Sequence, residues 1–192
     1  MSILIAASDR ALTSQPPDLG TTPVEIAAEV PDWSSERKRF FSWHPSRSLL
    51  ASIRSYQRHA KSHNPLRILA RRWAELRHRF WSVITGADIS IGCEIGGGLL
   101  LPHPNGVVIN ADVRIGPNCL IFQQVTIGTR TGSSSPVIGG HVDIGAGAKI
   151  LGEIRIGDHV CIGANAVVLM DLPAWSTAVG VPAVITRVRQ PG

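Results

Sequence analysis

Residues 138–168 read IGGHVDIGAGAKILGEIRIGDHVCIGANAVV. An aliphatic residue returns every six positions, at Ile138, Ile144, Ile150, Ile156, Ile162 and Val168. Glycine follows directly at Gly139, Gly145, Gly157 and Gly163, and four places after each aliphatic residue stands a compact apolar one: Val142, Ala148, Ile154, Val160, Ala166. A period of six is not a multiple of 3.6, so the stretch is no amphipathic helix. Six residues instead make one short strand and one turn. Three such units close a triangular coil, and the next coil stacks on it at strand spacing, roughly 4.8 Å higher. The aliphatic residues then point inward in columns, and glycine serves the turns. A solenoid of this kind needs several coils and a cap at each end.

The pattern extends toward the N-terminus through Ile91, Ile109, Ile115, Ile121 and Ile127, with Gly92, Gly116 and Gly128 after them. The second apolar position holds Ile95, Val107, Val113, Cys119 and Val125. The two runs are out of phase, because Ile127 and Ile138 are eleven residues apart and enclose TRTGSSSP, Thr129 to Pro136. That segment is expected to leave the coil as a loop over 129–137, a natural place for substrate contacts. In the six-residue register His103 falls where an aliphatic residue stands elsewhere. A polar ring in an aliphatic column is costly unless it points out or is hydrogen-bonded. Pro102 and Pro104 box it in and Gly96, Gly97 and Gly98 precede it, which suggests a backbone bent to aim the ring elsewhere. Asp88 lies fifteen residues before His103, so an eighteen-residue coil sets the two in adjacent coils, offset by three. The plainer readings are a packed structural histidine and an aspartate in a β-turn.

The repeat places the solenoid over 85–173. Residues 32–84 form a basic helical region, clearest over Pro65–Ile84, where Leu66, Leu69, Trp73, Leu76, Phe80 and Val83 recur at three or four residues behind an Asn64 cap and Pro65. Residues 1–31, with four prolines, are expected to be loosely ordered with a short helix around Val24–Val30, and 174–192 form a C-terminal tail. Of the 192 residues, 44% are hydrophobic and 17% charged, enough for a core and against a long solvated tail. Net charge is +5, and twelve Lys or Arg against Glu36 and Glu75 fall between Ser35 and Ser82. That bias suits an anionic surface, or simply solvated helix faces; no nucleic-acid motif accompanies it, and no nucleic-acid partner is expected. No apolar run is long enough for a membrane span and no secretory signal opens the chain, so a cytoplasmic location is expected. Cys93, Cys119 and Cys161 have no paired spacing, so neither a disulfide framework nor a zinc site is indicated.

The segment from Thr85 to Ala183 resembles the hexapeptide-repeat acyltransferases, and among them the serine O-acetyltransferases. TGADISIG, LPHPNGVVIN, FQQVTIG, IGAGAKILGEIRIG and the closing VGVPA carry the resemblance. It implies a left-handed parallel β-helix, working as a trimer or dimer of trimers with sites between neighbouring helices. It implies transfer of acetyl from acetyl-CoA to a small-molecule hydroxyl, with no metal. His103 would be the general base and Asp88 its orienting carboxylate. Coenzyme A would follow Gly145, Ala146, Gly163 and Ala164, with Lys149, Arg155, Arg187 and Arg189 as candidates for its phosphates and a backbone N–H near Gly128 or Thr129 for the oxyanion. The chain departs from the family at Pro102, where aspartate is usual, and at Ser134, Ser135 and Pro136, where Arg-His-Pro is usual. Arg130 is the substitute clamp. These departures resemble members associated with extracellular polysaccharide synthesis, so the acceptor is serine or a sugar. Two other classes stay open: a γ-carbonic-anhydrase-like zinc enzyme using His103, His141 and His159, and a non-enzymatic trimeric scaffold.

Overall fold

The computed structural model describes residues 28–34, 36–37, 43–60, 62–131 and 133–189. Two helices come first, α1 (Pro45–His59) and α2 (Pro65–Thr85). Proline opens both, its fixed φ being ready-made for a first turn. Asn64 caps α2 by accepting from the Leu66 N–H at 2.9 Å, and Gly86 ends it in the left-handed region at φ 65°.

Fourteen short strands follow in the described residues: β1 (Asp88–Ile89), β2 (Glu94–Ile95), β3 (Val108–Ile109), β4 (Arg114–Ile115), β5 (Leu120–Ile121), β6 (Thr126–Gly128), β7 (Val137–Ile138), β8 (Asp143–Ile144), β9 (Lys149–Leu151), β10 (Arg155–Ile156), β11 (Cys161–Ile162), β12 (Val167–Val168), β13 (Ser176–Val179) and β14 (Val184–Val188). They lie on three faces of a prism. The first face runs β1-β3-β6-β9-β12, the second β2-β4-β7-β10, and the third β5-β8-β11-β13-β14. All pairings are parallel except β13 with β14, which turns back at the end of the third face. The fold is therefore the expected parallel β-helix, with two helices at its start. Residues 174–192, set apart by sequence as a tail, carry β13 and β14 and extend the third face.

Each two-residue strand ends in one inward aliphatic residue, and these stack with their counterparts Ile127 in β6 and Ile150 in β9. On the first face Ile89, Ile109, Ile127, Ile150 and Val168 are at most 2% exposed. Burying each such side chain contributes about 1.5–3 kcal/mol. Leu49, Leu50 and Ile53 of α1 belong to the same apolar cluster as Ile89, Leu99 and Leu101, so α1 closes the end of the prism where the first coil has no neighbour below.

Coil length varies, and this corrects the register expected from sequence. Ile109 pairs with Ile127 and Ile138 with Ile156, eighteen residues on in each case. Ile89, however, pairs with Ile109, twenty residues on. The column member is thus Ile89, while Ile91 sits half-buried in a turn. Ile95 and Leu101 keep the six-residue step, so the two extra residues fall between Leu101 and Ile109. The coil holding Thr129–Pro136 is longer still, since Ile127 pairs with Ile150, twenty-three residues on.

The corners are built from left-handed residues. Between the second and third faces these are Gly98, Asn118, His141, His159 and Trp175, all at φ between 52° and 79°. Bulky residues pay roughly 1–2 kcal/mol for that conformation. Here stacking offsets the cost: His141 Nδ1 lies 2.8 Å from His159 Nδ1, and His159 stacks on Trp175 with ring centres 3.9 Å apart. Residues 28–34, with Glu36, strap the lower part of this corner. Asn118 Nδ2 donates to the Val30 carbonyl and Asn118 Oδ1 accepts from the Asp32 N–H, both at 2.7 Å. Glu36 accepts from the Leu99 N–H at 3.1 Å and pairs with Arg54 at 2.7 Å. Residues 28–30 are a bend rather than the end of a helix, and Gly97 is where Trp33 lies against the coil. The rest of the expected N-terminal segment, 1–27, lies outside the described residues.

Candidate active site

The corner between the third and first faces is a ladder of polar turns, and His103 stands at its lower end. Its turn spans Leu101–Gly106 and leads into β3. The twenty-residue first coil takes His103 out of the aliphatic column, so the ring is exposed rather than directed inward. Its register position therefore corrects the sequence expectation, while its exposure agrees with a backbone bent by Pro102 and Pro104.

The residues before β1 pack on this turn. Gly106 N–H donates to the Gly86 carbonyl and Asp88 N–H to the Val107 carbonyl, both at 2.8 Å. Asp88 is exposed at the strand edge beneath Val108, its partner in register. Asp88 and His103 thus share a corner, without a hydrogen bond or ion pair between them. The carboxylate of Asp88 instead acts on His78 of α2, where it and the Ile89 backbone partly counter the burial that lowers the His78 pKa.

Above His103 the ladder continues. Gln124 N–H donates to the Asn105 carbonyl at 3.0 Å, Gly147 N–H to the Gln123 carbonyl at 2.9 Å, and Asn165 N–H to the Ala146 carbonyl at 2.8 Å. Gly145, Ala146, Gly163 and Ala164 are therefore rungs of the same corner as His103. Gly147 holds φ 74°, and a Cβ there would meet the Asn165 side-chain oxygen at 2.1 Å, so the ridge is low by construction. Lys149 leans onto it, its ammonium donating to the Gln124 carbonyl at 2.7 Å and the Gly147 carbonyl at 2.9 Å. That cation is committed to the turn, not projecting freely as a phosphate ligand.

The remaining candidates lie elsewhere. Gly128 and Thr129 leave β6 at the opposite edge of the first face, where Asn110 Nδ2 donates to Thr129 Oγ1 at 3.4 Å. Arg130 belongs to the same loop, its N–H held by Ser133 Oγ at 2.9 Å. Ser134 and Ser135 open into a groove lined also by Asp112, Arg114, Glu153, Arg155 and Asp171. A single chain therefore does not bring Thr129, Arg130, Ser134 or Ser135 to His103. Arg187 lies on β14, paired with Thr177, and Arg189 N–H donates to the Trp175 carbonyl at 2.9 Å; both are exposed at the far end. His141 and His159 meet edge-on at yet another corner, so the three histidines named for a zinc centre do not converge. Among the described residues no group of three or more His, Cys, Asp or Glu is placed to hold a metal ion.

The cysteines are poor nucleophiles. Burial pushes the thiols of Cys93 and Cys119 up to about 12, and that of Cys161 also upward. A thiolate is the reactive form, so none of the three is activated at neutral pH. One residue escaped the sequence reading: Gln123, on the rung above Asn105, has a buried side-chain Oε1 with no hydrogen-bond partner among the described residues. The signal was present in FQQVTIG, where polar residues interrupt an otherwise apolar and glycine-rich repeat.

Comparison with known proteins places this arrangement. The bacterial transferase hexapeptide (six repeats) family model matches residues 135–169. The soybean serine acetyltransferase apoenzyme structure is 33% identical with a TM-score of 0.57, covering 72% of this chain and 69% of its own. The chain belongs to the hexapeptide-repeat acyltransferases. A curated serine acetyltransferase of Synechococcus elongatus is 44% identical over 103 residues, 52% of this chain and 42% of that protein. The Brucella abortus serine acetyltransferase in complex with coenzyme A is 31% identical at a TM-score of 0.65, covering 75% of this chain and 56% of its own. The chain spans about half the length of the curated relatives it matches.

Proposed function

We propose that the chain is an acetyl-CoA-dependent O-acetyltransferase of the serine acetyltransferase kind, converting acetyl-CoA and L-serine to O-acetylserine and CoA. The observation that carries this reading is the placement of the exposed His103 at the foot of the low ridge formed by Gly145, Ala146, Gly163 and Ala164. A pantetheine arm lying along that ridge presents its thioester to one imidazole. Neutral His103 accepts the proton of the acceptor hydroxyl as the oxygen attacks the thioester carbon. The imidazolium then protonates the departing thiolate, a two-way task that suits an imidazole because one ring can both accept and donate the proton. Asp88, on the same corner, supports the imidazolium. Gln123 Oε1 is an acceptor awaiting a donor, such as an amide N–H of the arm. The oxyanion needs N–H donors. Those near Gly128 and Thr129 reach this corner only from a neighbouring copy, which supports the expected homotrimer. The soluble, cytoplasmic setting is part of the same proposal.

A sugar acceptor is the second reading. It is favoured by the groove beside Ser134 and Ser135, where the carboxylates of Asp112, Glu153 and Asp171 and the guanidiniums of Arg114 and Arg155 offer acceptors and donors to sugar hydroxyls. The deciding experiment measures thiol release from acetyl-CoA with L-serine and with a panel of sugars and nucleotide-sugars. Serine turnover with no response to sugars supports the first reading, and the converse supports the second. Absence of any acetyl-CoA binding or consumption overturns both and leaves a non-enzymatic scaffold.

A further inference from the structure

Among the described residues, one face of α2 has no partner. Ala74 and Thr85 are its buried residues, and Trp81 packs against the core. On the opposite side Leu66, Leu69, Trp73, Leu76, Phe80 and Val83 are between 55 and 81% exposed. Their steps alternate three and four, so they form one straight seam about 26 Å long at 1.5 Å per residue. At 100° per residue Arg72 and Arg79 flank the seam on one side and Arg77 on the other. Arg77 and Arg79 line its groove together with Trp73, Leu76, Phe80 and Val83. The one carboxylate of the helix, Glu75, is already paired, with Arg72 at 3.0 Å and Arg71 at 3.9 Å.

The charges decide what can cover the seam. A second α2 packed on it in parallel sets Arg72 against Arg77, and an antiparallel one sets Arg72 against Arg79. Coiled coils place opposite charges at these flanking positions, and like charges there oppose pairing. An anionic surface has the complementary sign. Tryptophan, phenylalanine and leucine on one face with arginines at its margins is the pattern of a helix lying in a lipid interface.

We propose that the exposed seam of α2 docks on an anionic lipid surface, with Leu69, Trp73, Leu76 and Phe80 entering the acyl boundary and Arg77 and Arg79 meeting lipid phosphates. The helix lies on the membrane and does not cross it; no helix of the described residues is long and apolar enough to span one. The inference is independent of the proposed acetyl transfer.

The test is flotation of the full chain with phosphatidylcholine vesicles, with and without phosphatidylglycerol, together with light scattering to weigh the assembly. The expected result is co-flotation only with phosphatidylglycerol, weakened by salt and accompanied by a blue shift of tryptophan emission. Arg77→Gln and Arg79→Gln should each weaken binding about fivefold. A double Leu69→Ser, Phe80→Ser variant should lose it while melting within a few degrees of the parent, since both side chains are largely exposed and Phe80 gives up only its edge contact with Trp81. His103→Ala should bind as the parent does, whether or not acetyl transfer is found. Failure of the parent chain to float with phosphatidylglycerol overturns the proposal. So does an assembly that falls apart in the Leu69→Ser, Phe80→Ser variant, because the seam is then covered by another copy.

Discussion

Replacing His103 by alanine separates chemistry from folding, because the two effects have calculable and very different sizes. The ring is exposed and makes no hydrogen bond or ion pair among the described residues, so its removal empties no cavity and strands no buried polar group. Surface changes of that kind stay within about 0.5 kcal/mol of the parent stability. If the imidazole carries the proton from acceptor to leaving thiolate, its loss should lower turnover about 10²- to 10⁴-fold. That corresponds to roughly 3–5 kcal/mol of barrier at 1.36 kcal/mol per tenfold. The assay is thiol release from acetyl-CoA with the best acceptor of the panel, run beside a urea melt of the same preparation. A low rate at unchanged midpoint is the expected pair. Full activity of His103→Ala would refute the reasoning. A fall in rate matched by a fall in stability would refute it too, since the ring would then be part of the packing.

Three further outcomes test the fold around the site. Asn118→Gly keeps the left-handed corner but cuts both hydrogen bonds to the strap, so it should cost about 1–3 kcal/mol and speed amide exchange at Asp32. Unchanged exchange there would show that the strap is held by other contacts. Ile127→Ala removes a fully buried member of the first-face column and should lower stability by about 2–5 kcal/mol in a urea melt, with a smaller effect for Ile127→Val. For His78, burial lowers the folded-state pKa below its ordinary 6.5, so the fold disfavours the proton that the unfolded chain accepts. Its contribution to stability is complete above about pH 6.5 and is lost as pH falls from there through the lowered folded-state pKa. The melting temperature should therefore drop on acidification, and His78→Gln should flatten that drop. Parallel pH profiles for parent and variant would exclude His78 as the cause.

The β-helix was legible in the chain because its cause is local. A coil of short strands buries one residue in six, and an isoleucine every sixth position states that without reference to distant contacts. The α2 boundaries were legible for the same reason, from Asn64, Pro65 and the seam spacing. Register was not. Ile91 matches the six-residue count from Ile109 as well as any column member, yet Ile89 fills the column. The prism admits two extra residues at a corner without disturbing the strands on either side, so a count across the corner is blind to them. His103 stood out in sequence as a polar residue in an apolar position; it is in fact a residue of that inserted corner.

Sequence alone determined the repeat, the cap and helix spacing, and the identity of the unusual histidine, all of which rest on contacts with near neighbours or on side-chain chemistry. Tertiary structure decided which residues share a corner. It set His103 and the Ala146 and Ala164 turns on one edge, sent Thr129, Arg130 and residues 133–137 to another, tied Lys149 to backbone carbonyls and bound Val30 and Asp32 to Asn118. Stacking links positions sixteen to twenty-three residues apart according to each coil's length, and that length is fixed only when the coil closes on the one beneath it.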